Sequence, residues 1–100
     1  MAIMISRRRL QAGEFDAWKE RFEADADNRS KAGCRGIRRF RNIADADELI
    51  LVFDWASREE AEKFVRAKLA SRPGLTDSKR ADGSAAFVNE FYEELAPLKS

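Results

Sequence analysis

One stretch of this sequence, Glu48 to Trp55, has little freedom in what it can become. In an extended chain Leu49, Leu51, Phe53 and Trp55 fall on one side, and Ile50 and Val52 fall on the other. A strand that is apolar on both faces is predicted to lie in the middle of a sheet, covered on both sides. The rest of the chain must supply the neighbours and the covers.

Ala2 to Arg8 reads as a second such strand, with Ile3 and Ile5 on one side and Ala2, Met4 and Ser6 on the other. Gly13 to about Asn28 reads as a helix, because Phe15, Trp18, Phe22 and Ala26 recur at spacings of three, four and four. Glu14, Lys19, Glu20, Glu23 and Asp27 form its wet side, and the polar run Asn28 to Gly33 is expected to be its stop and loop. Cys34 to Asn42 reads as a strand with Cys34, Gly36, Arg38 and Phe40 on one face and Arg35, Ile37, Arg39 and Arg41 on the other. So many arginines suit an edge. Turn residues fill Asn42 to Asp47. After the central strand, Ser57 with Glu60 three residues on forms a capping box. It opens a helix from Arg58 to about Ala70 that buries Ala61, Phe64, Val65 and Leu69 and stops at Arg72-Pro73-Gly74. Leu75 to Gly83 is expected to be loop. In Ser84 to Leu95 the spacing of Phe87, Val88, Phe91, Tyr92 and Leu95 fits a helix better than a strand.

The order strand, helix, strand, strand, helix is the split βαβ plan, in which strands one and three are central and strand two is an edge. Here strands one and three are the pair with two apolar faces. The fold class expected is α+β: a ferredoxin-like βαββαβ unit, an antiparallel sheet with its helices on one face, in one domain spanning residues 1–100. A monomer of that plan leaves the other face wet, yet Ile50 and Val52 stand opposite Leu49, Leu51, Phe53 and Trp55, and Met4 stands opposite Ile3 and Ile5, so neither central strand has a polar face. A homodimer through the open sheet face is expected, since two-fold self-pairing buries such a face at once.

Composition excludes more than it assigns. Lys plus Arg total 19 and Asp plus Glu 18, so the net charge of +1 gives no global pull toward nucleic acid or an anionic membrane. No apolar run approaches the roughly 20 residues that span a bilayer. The chain is expected to be cytoplasmic, because the basic run Arg7 to Arg9 follows the short apolar N-terminus instead of preceding it, and the single Cys34 cannot form an internal disulfide. There is no histidine, so the commonest general base, metal ligand and proximal haem ligand are all missing. No metal or other cofactor is expected.

The detail resembles a known family. A tryptophan on helix one, Gly33-x-x-Gly36 leading into an Arg-rich strand, the run Asp47 to Trp55, and Ser57-x-Glu59-Glu60-Ala61-x-x-Phe64 are similar to antibiotic-biosynthesis-monooxygenase-type proteins of the dimeric α+β barrel group. The resemblance covers roughly residues 3 to 70 and, weakly, 84 to 95. It implies that Ala86 to Glu93 is a strand, against the periodicity. It also implies either a cofactor-free oxygenase of aromatic compounds, in which Asn, Trp and Arg side chains hold an acidic phenol in a pocket between sheet and helices, or a haem-degrading protein. The haem branch uses a histidine that this chain lacks.

Five residues are candidates for a substrate site. Trp18 and Trp55 could stack on an aromatic ligand, or simply fill the core. Arg38 would stabilise an enolate or phenolate if its strand face looks into the pocket; otherwise it is an edge charge. Asn89 and Tyr92 could hydrogen-bond a ligand carbonyl, but on a strand they face opposite ways. No catalytic residue is assigned. Cys34 has no histidine to activate it. Two functions follow: a small-molecule-binding domain acting as a cofactor-independent monooxygenase on an aromatic or enolisable substrate, or a non-catalytic dimeric ligand-binding or structural domain. RNA binding would need exposed sheet aromatics in a basic surround, and the open face is better explained by dimerisation.

Overall fold

The computed structural model describes residues 2–71 and 87–99. Its elements are β1 (Ala2–Arg9), α1 (Phe15–Ala24), α2 (Ala26–Lys31), β2 (Cys34–Arg41), β3 (Glu48–Trp55), α3 (Arg58–Ser71) and β4 (Phe87–Tyr92). The four strands form one antiparallel sheet in the order β2-β3-β1-β4. The two strands with two apolar faces are the central ones, as their patterning requires.

Register decides which side chain meets the helices. Met4 pairs with Phe53 and Phe91, and Ser6 with Leu51 and Asn89. The helix-covered face therefore carries Met4, Ser6 and Arg8 of β1, the odd-numbered residues of β3, and Phe87, Asn89 and Phe91 of β4. Met4, Leu49, Leu51, Phe53 and Trp55 are buried there, joined by Trp18 of α1 and Ala61 of α3. Ile3, Ile5, Ile50, Val52 and Val88 occupy the opposite face, with Ile50 44% exposed.

β4 is a strand within the expected Ala86–Glu93, although its spacing fits a helix. Both periodicities place apolar residues on two sides, and pairing to β1 uses both. The stop at Arg72-Pro73-Gly74, the loop at 75–83 and Ala86 lie outside the described residues.

Helix one departs from its expected form. The chain leaves helical geometry at Asp25 (φ −89°, ψ 7°) and restarts as α2, so residues 28–31, expected as loop, are helical. The break rotates the second piece. Ala26, expected on the apolar stripe, is exposed, and Arg29 takes the inward position. Gly33 then turns the chain into β2 at φ +112°, a conformation only glycine adopts at no cost. The Glu60 carboxylate fills the space a Cβ would need there. Ser57 Oγ accepts from the Glu60 backbone N–H at 3.1 Å, which is the forward half of the capping box.

β2 contains a bulge between Cys34 and Gly36. An extra residue moves every later side chain to the other face. Cys34 thus shares the helix side with Ile37, Arg39 and Arg41, and is separated from Gly36, Arg38 and Phe40, with which simple alternation grouped it. No described helix is long and apolar enough to cross a membrane.

Candidate functional site

Between the sheet and the three helices lies a cavity of about 470 Å³. That is within the range of small-molecule sites. Its floor is Met4, Arg8, Phe53, Trp55, Phe87 and Asn89. The α1 wall adds Trp18, Arg21 and Phe22, its junction with α2 adds Asp25, α2 adds Arg29, and α3 adds Phe64, Val65 and Lys68. A run of aromatic contacts lines it: Trp18 to Phe22 at 5.0 Å, Phe22 to Phe53 at 6.2 Å, Phe53 to Trp55 at 6.2 Å and Trp55 to Phe64 at 5.4 Å between ring centroids. These are stacking and edge geometries suited to holding another flat ring.

Three polar atoms in this apolar setting have no hydrogen-bond partner: Nε of Arg29, Nε1 of Trp55 and Oδ1 of Asn89. Buried polar groups are nearly always paired. All three belong to residues that line the cavity, and each atom is itself shielded from solvent. Arg29 is only 6% exposed, and its guanidinium carbon sits 3.9 Å from the centre of the Phe22 ring. Burial lowers its pKa from the ordinary value, with the charge of Asp25 working the other way, but a guanidinium stays charged regardless.

The two helical walls are tied by Lys68 Nζ to Asp25 Oδ2 at 2.6 Å, and Asn28 Nδ2 donates to the other Asp25 oxygen at 2.7 Å. Burial acts to raise the Asp25 carboxyl, but these two hydrogen bonds and the charges of Lys68 and Arg29 outweigh it and hold its pKa below the ordinary value. Arg8 lies 4.9 Å from the Phe87 ring and 5.6 Å from that of Phe22, and its Nε donates to the buried Ser6 hydroxyl at 3.1 Å.

Trp18, Trp55 and Asn89 of the five sequence candidates line this cavity. Arg38 and Tyr92 do not. Arg38 pairs with Val52 on the open sheet face, 5.2 Å from the Phe40 ring, and Tyr92 lies on the same face opposite Ile3. Sequence reasoning misses Arg29, because the polar run around it reads as loop; the signal available is its place seven residues after Phe22, two helical turns along the same stripe. Cys34 is off the cavity. Burial pushes its thiol up, its Sγ contacts the Gly36 carbonyl at 3.7 Å, and it is not poised as a nucleophile. Among the described residues no cluster of three or more His, Cys, Asp or Glu could hold a metal ion.

Residues 1–72 match the sequence pattern of the family described as antibiotic biosynthesis monooxygenase. Two solved structures share the fold. One is an antibiotic biosynthesis monooxygenase, 12% identical, with a TM-score of 0.68 over 96% of this chain and all of that one. The other is an arginine-to-serine mutant of MhuD with two manganese protoporphyrin IX bound per active site, 18% identical, with a TM-score of 0.66 over the whole of both chains. A search of curated proteins finds no match.

Proposed function

Because this chain belongs to the antibiotic biosynthesis monooxygenase family, we propose that it is a cofactor-independent monooxygenase acting on an aromatic or enolisable substrate in the cavity between sheet and helices. The observation that carries this reading is a cavity lined by aromatic rings whose lining residues Arg29, Trp55 and Asn89 each hold a buried polar atom without a partner. They match the Arg, Trp and Asn character expected of such a site.

The chemistry follows from charge placement. A substrate with an acidic ring CH₂ beside a carbonyl loses a proton to give an enolate. Arg29 and Trp55 donate toward its oxygen, which is worth more in a water-poor site than in bulk. The enolate carbon transfers electrons to dioxygen and bonds to it, giving a hydroperoxide. Loss of water from that group leaves a new carbonyl. The balance is CH₂ plus O₂ to C=O plus H₂O, so no external reductant is needed. Asp25 is the only described carboxylate on the cavity, and with its pKa held low it is a weak base. Most of the driving force for ionisation must come from the substrate's own acidity and from Arg29.

A haem cofactor does not fit the residues present. The chain has no histidine, and neither Cys34 nor Tyr92 reaches the cavity. The Met4 thioether, which elsewhere serves iron opposite a histidine, has no such partner here.

The test is oxygen uptake with a dihydroxyanthrone. One O₂ should be consumed per quinone formed, and Trp55→Phe should slow turnover about a hundred-fold, the scale for one lost oxyanion donor. No acceleration over the uncatalysed reaction between about pH 6 and 9 would overturn the oxygenase reading; binding without turnover would leave a non-catalytic ligand domain.

The working unit on this reading is a homodimer closed through the open sheet face. Ile3, Ile5, Ile50, Val52 and Val88 form its apolar centre, and Phe40 and Tyr92, 46% and 42% exposed, extend it. A patch of this kind is rarely left to water.

A further inference from the structure

We propose that the natural ligand of this cavity carries a carboxylate, and that Arg29 is the residue that selects it. This rests on the reading of the cavity as a small-molecule site, and goes beyond it by fixing the charge of the ligand before any reaction.

The case begins with a charge imbalance. The described lining residues include Arg8, Arg9, Arg21, Arg29 and Lys68 against one carboxylate, Asp25. Asp25 is engaged by Lys68 and Asn28. Arg9 is bound to Asp45 and Glu48 at the edge of the sheet. The Arg29 side chain, nine-tenths buried, has neither a hydrogen bond nor an ion pair among the described residues, and its Nε is fully shielded from solvent.

Aromatic and cationic groups surround Arg29, and Arg8 among them donates to the Ser6 hydroxyl. The guanidinium carbons of Arg8 and Arg39 lie 5.6 and 5.8 Å from the same Phe22 ring that Arg29 covers at 3.9 Å. Arg39 is answered by Glu23 at 3.1 Å. The ring face itself offsets part of the cost of burying a cation. The charge of Asp25 acts on Arg29 without a hydrogen bond or ion pair between them, and an anion brought into the cavity would complete the pairing of the buried guanidinium.

A phenol or enol does not supply that anion at rest. A phenol is neutral until about pH 10. A carboxylate is ionised throughout the physiological range and matches the guanidinium fork with two parallel hydrogen bonds. The aromatic run beside Arg29 then takes the ring to which that carboxylate is attached. The inferred ligand class is a fused-ring aromatic acid.

The experiment compares naphthalene- and anthracene-2-carboxylate with their carboxamides, which share shape and lack charge. Both tryptophans of the chain line the cavity, so their fluorescence reports occupancy. The acid should bind about ten-fold or more tighter than its amide, the scale of one hydrogen bond to a charged group. Arg29→Gln should bring that ratio to about one, and Arg29→Lys should keep part of it. A ratio within two-fold in the unaltered protein, no acid binding below millimolar, or a ratio unchanged in Arg29→Gln would each overturn the inference. The comparison in the unaltered protein stands even if the variants fail to fold. In the unaltered protein, no acid preference with oxygen uptake present sinks this inference alone, and an acid preference without oxygen uptake sinks the oxygenase reading alone.

Discussion

Trp55 allows the idea of an open polar atom to be tested through stability. Its side chain is 0% exposed, 6.2 Å from the ring of Phe53 and 5.4 Å from that of Phe64, yet its indole N–H has no partner. Trp55→Ala removes the whole ring and should cost about 3–5 kcal/mol. In a domain of this size that lowers the melting temperature by roughly 15–30 °C. Trp55→Phe is a different perturbation. It gives up two buried carbons, about 1.6 kcal/mol at about 0.8 each. It also sheds a donor whose unmade hydrogen bond costs about 1–3 kcal/mol. The two effects oppose, and the net change should lie within about 1 kcal/mol, less than roughly 8 °C. Thermal melts followed by far-ultraviolet circular dichroism separate the two variants. If Trp55→Phe melts as low as Trp55→Ala, the indole N–H is already bonded in the native protein, and the open-atom argument fails.

Val52→Lys sets a charge between Ile5 and Arg38 at the centre of the open face, and should split the dimer or unfold it; light scattering of the unaltered chain giving a monodisperse 11.4 kDa would refute the dimer itself. Asp25 has a folded pKa below its unfolded one, so its contribution to stability is complete above the ordinary carboxylate value near about 3.9 and is lost as pH falls through the depressed folded value. Urea midpoints between about pH 2 and 5 should therefore fall less steeply in Asp25→Asn than in the parent, and parallel acid limbs would show that the carboxylate is not held.

Much of the fold was legible because it is written in parity. Glu48–Trp55 admits one position in a sheet, and Ser57 with Glu60 marks one helix start. Parity fails where one residue is inserted. The bulge at Cys34 and Gly36 splits a face that simple alternation keeps whole, so Cys34 goes to the helices while Arg38 stays on the open face. A helical wheel fails at Asp25, where a short break turns Ala26 outward, while Arg29, on the Phe22 stripe but in a run that looks like solvated loop, becomes the most buried cation of the site. Trp18 and Trp55 were legible as large rings on inward stripes; that they face a void and not solid packing depends on how far the helices stand from the sheet, which no local pattern encodes. β4 required the family resemblance, since its residues satisfy both periods.

The tie between Lys68 and Asp25 also acts as a spacer. It joins the α1–α2 junction to α3 across the cavity, at 2.6 Å, with the two side chains 38% and 18% exposed. The pair therefore fixes how far apart the two helical walls stand, and with that the thickness of any flat molecule the cavity could take. At 2.6 Å the two charges are far closer than the screening length of about 8 Å at 0.15 M salt, so ordinary electrolyte leaves this spacing in place.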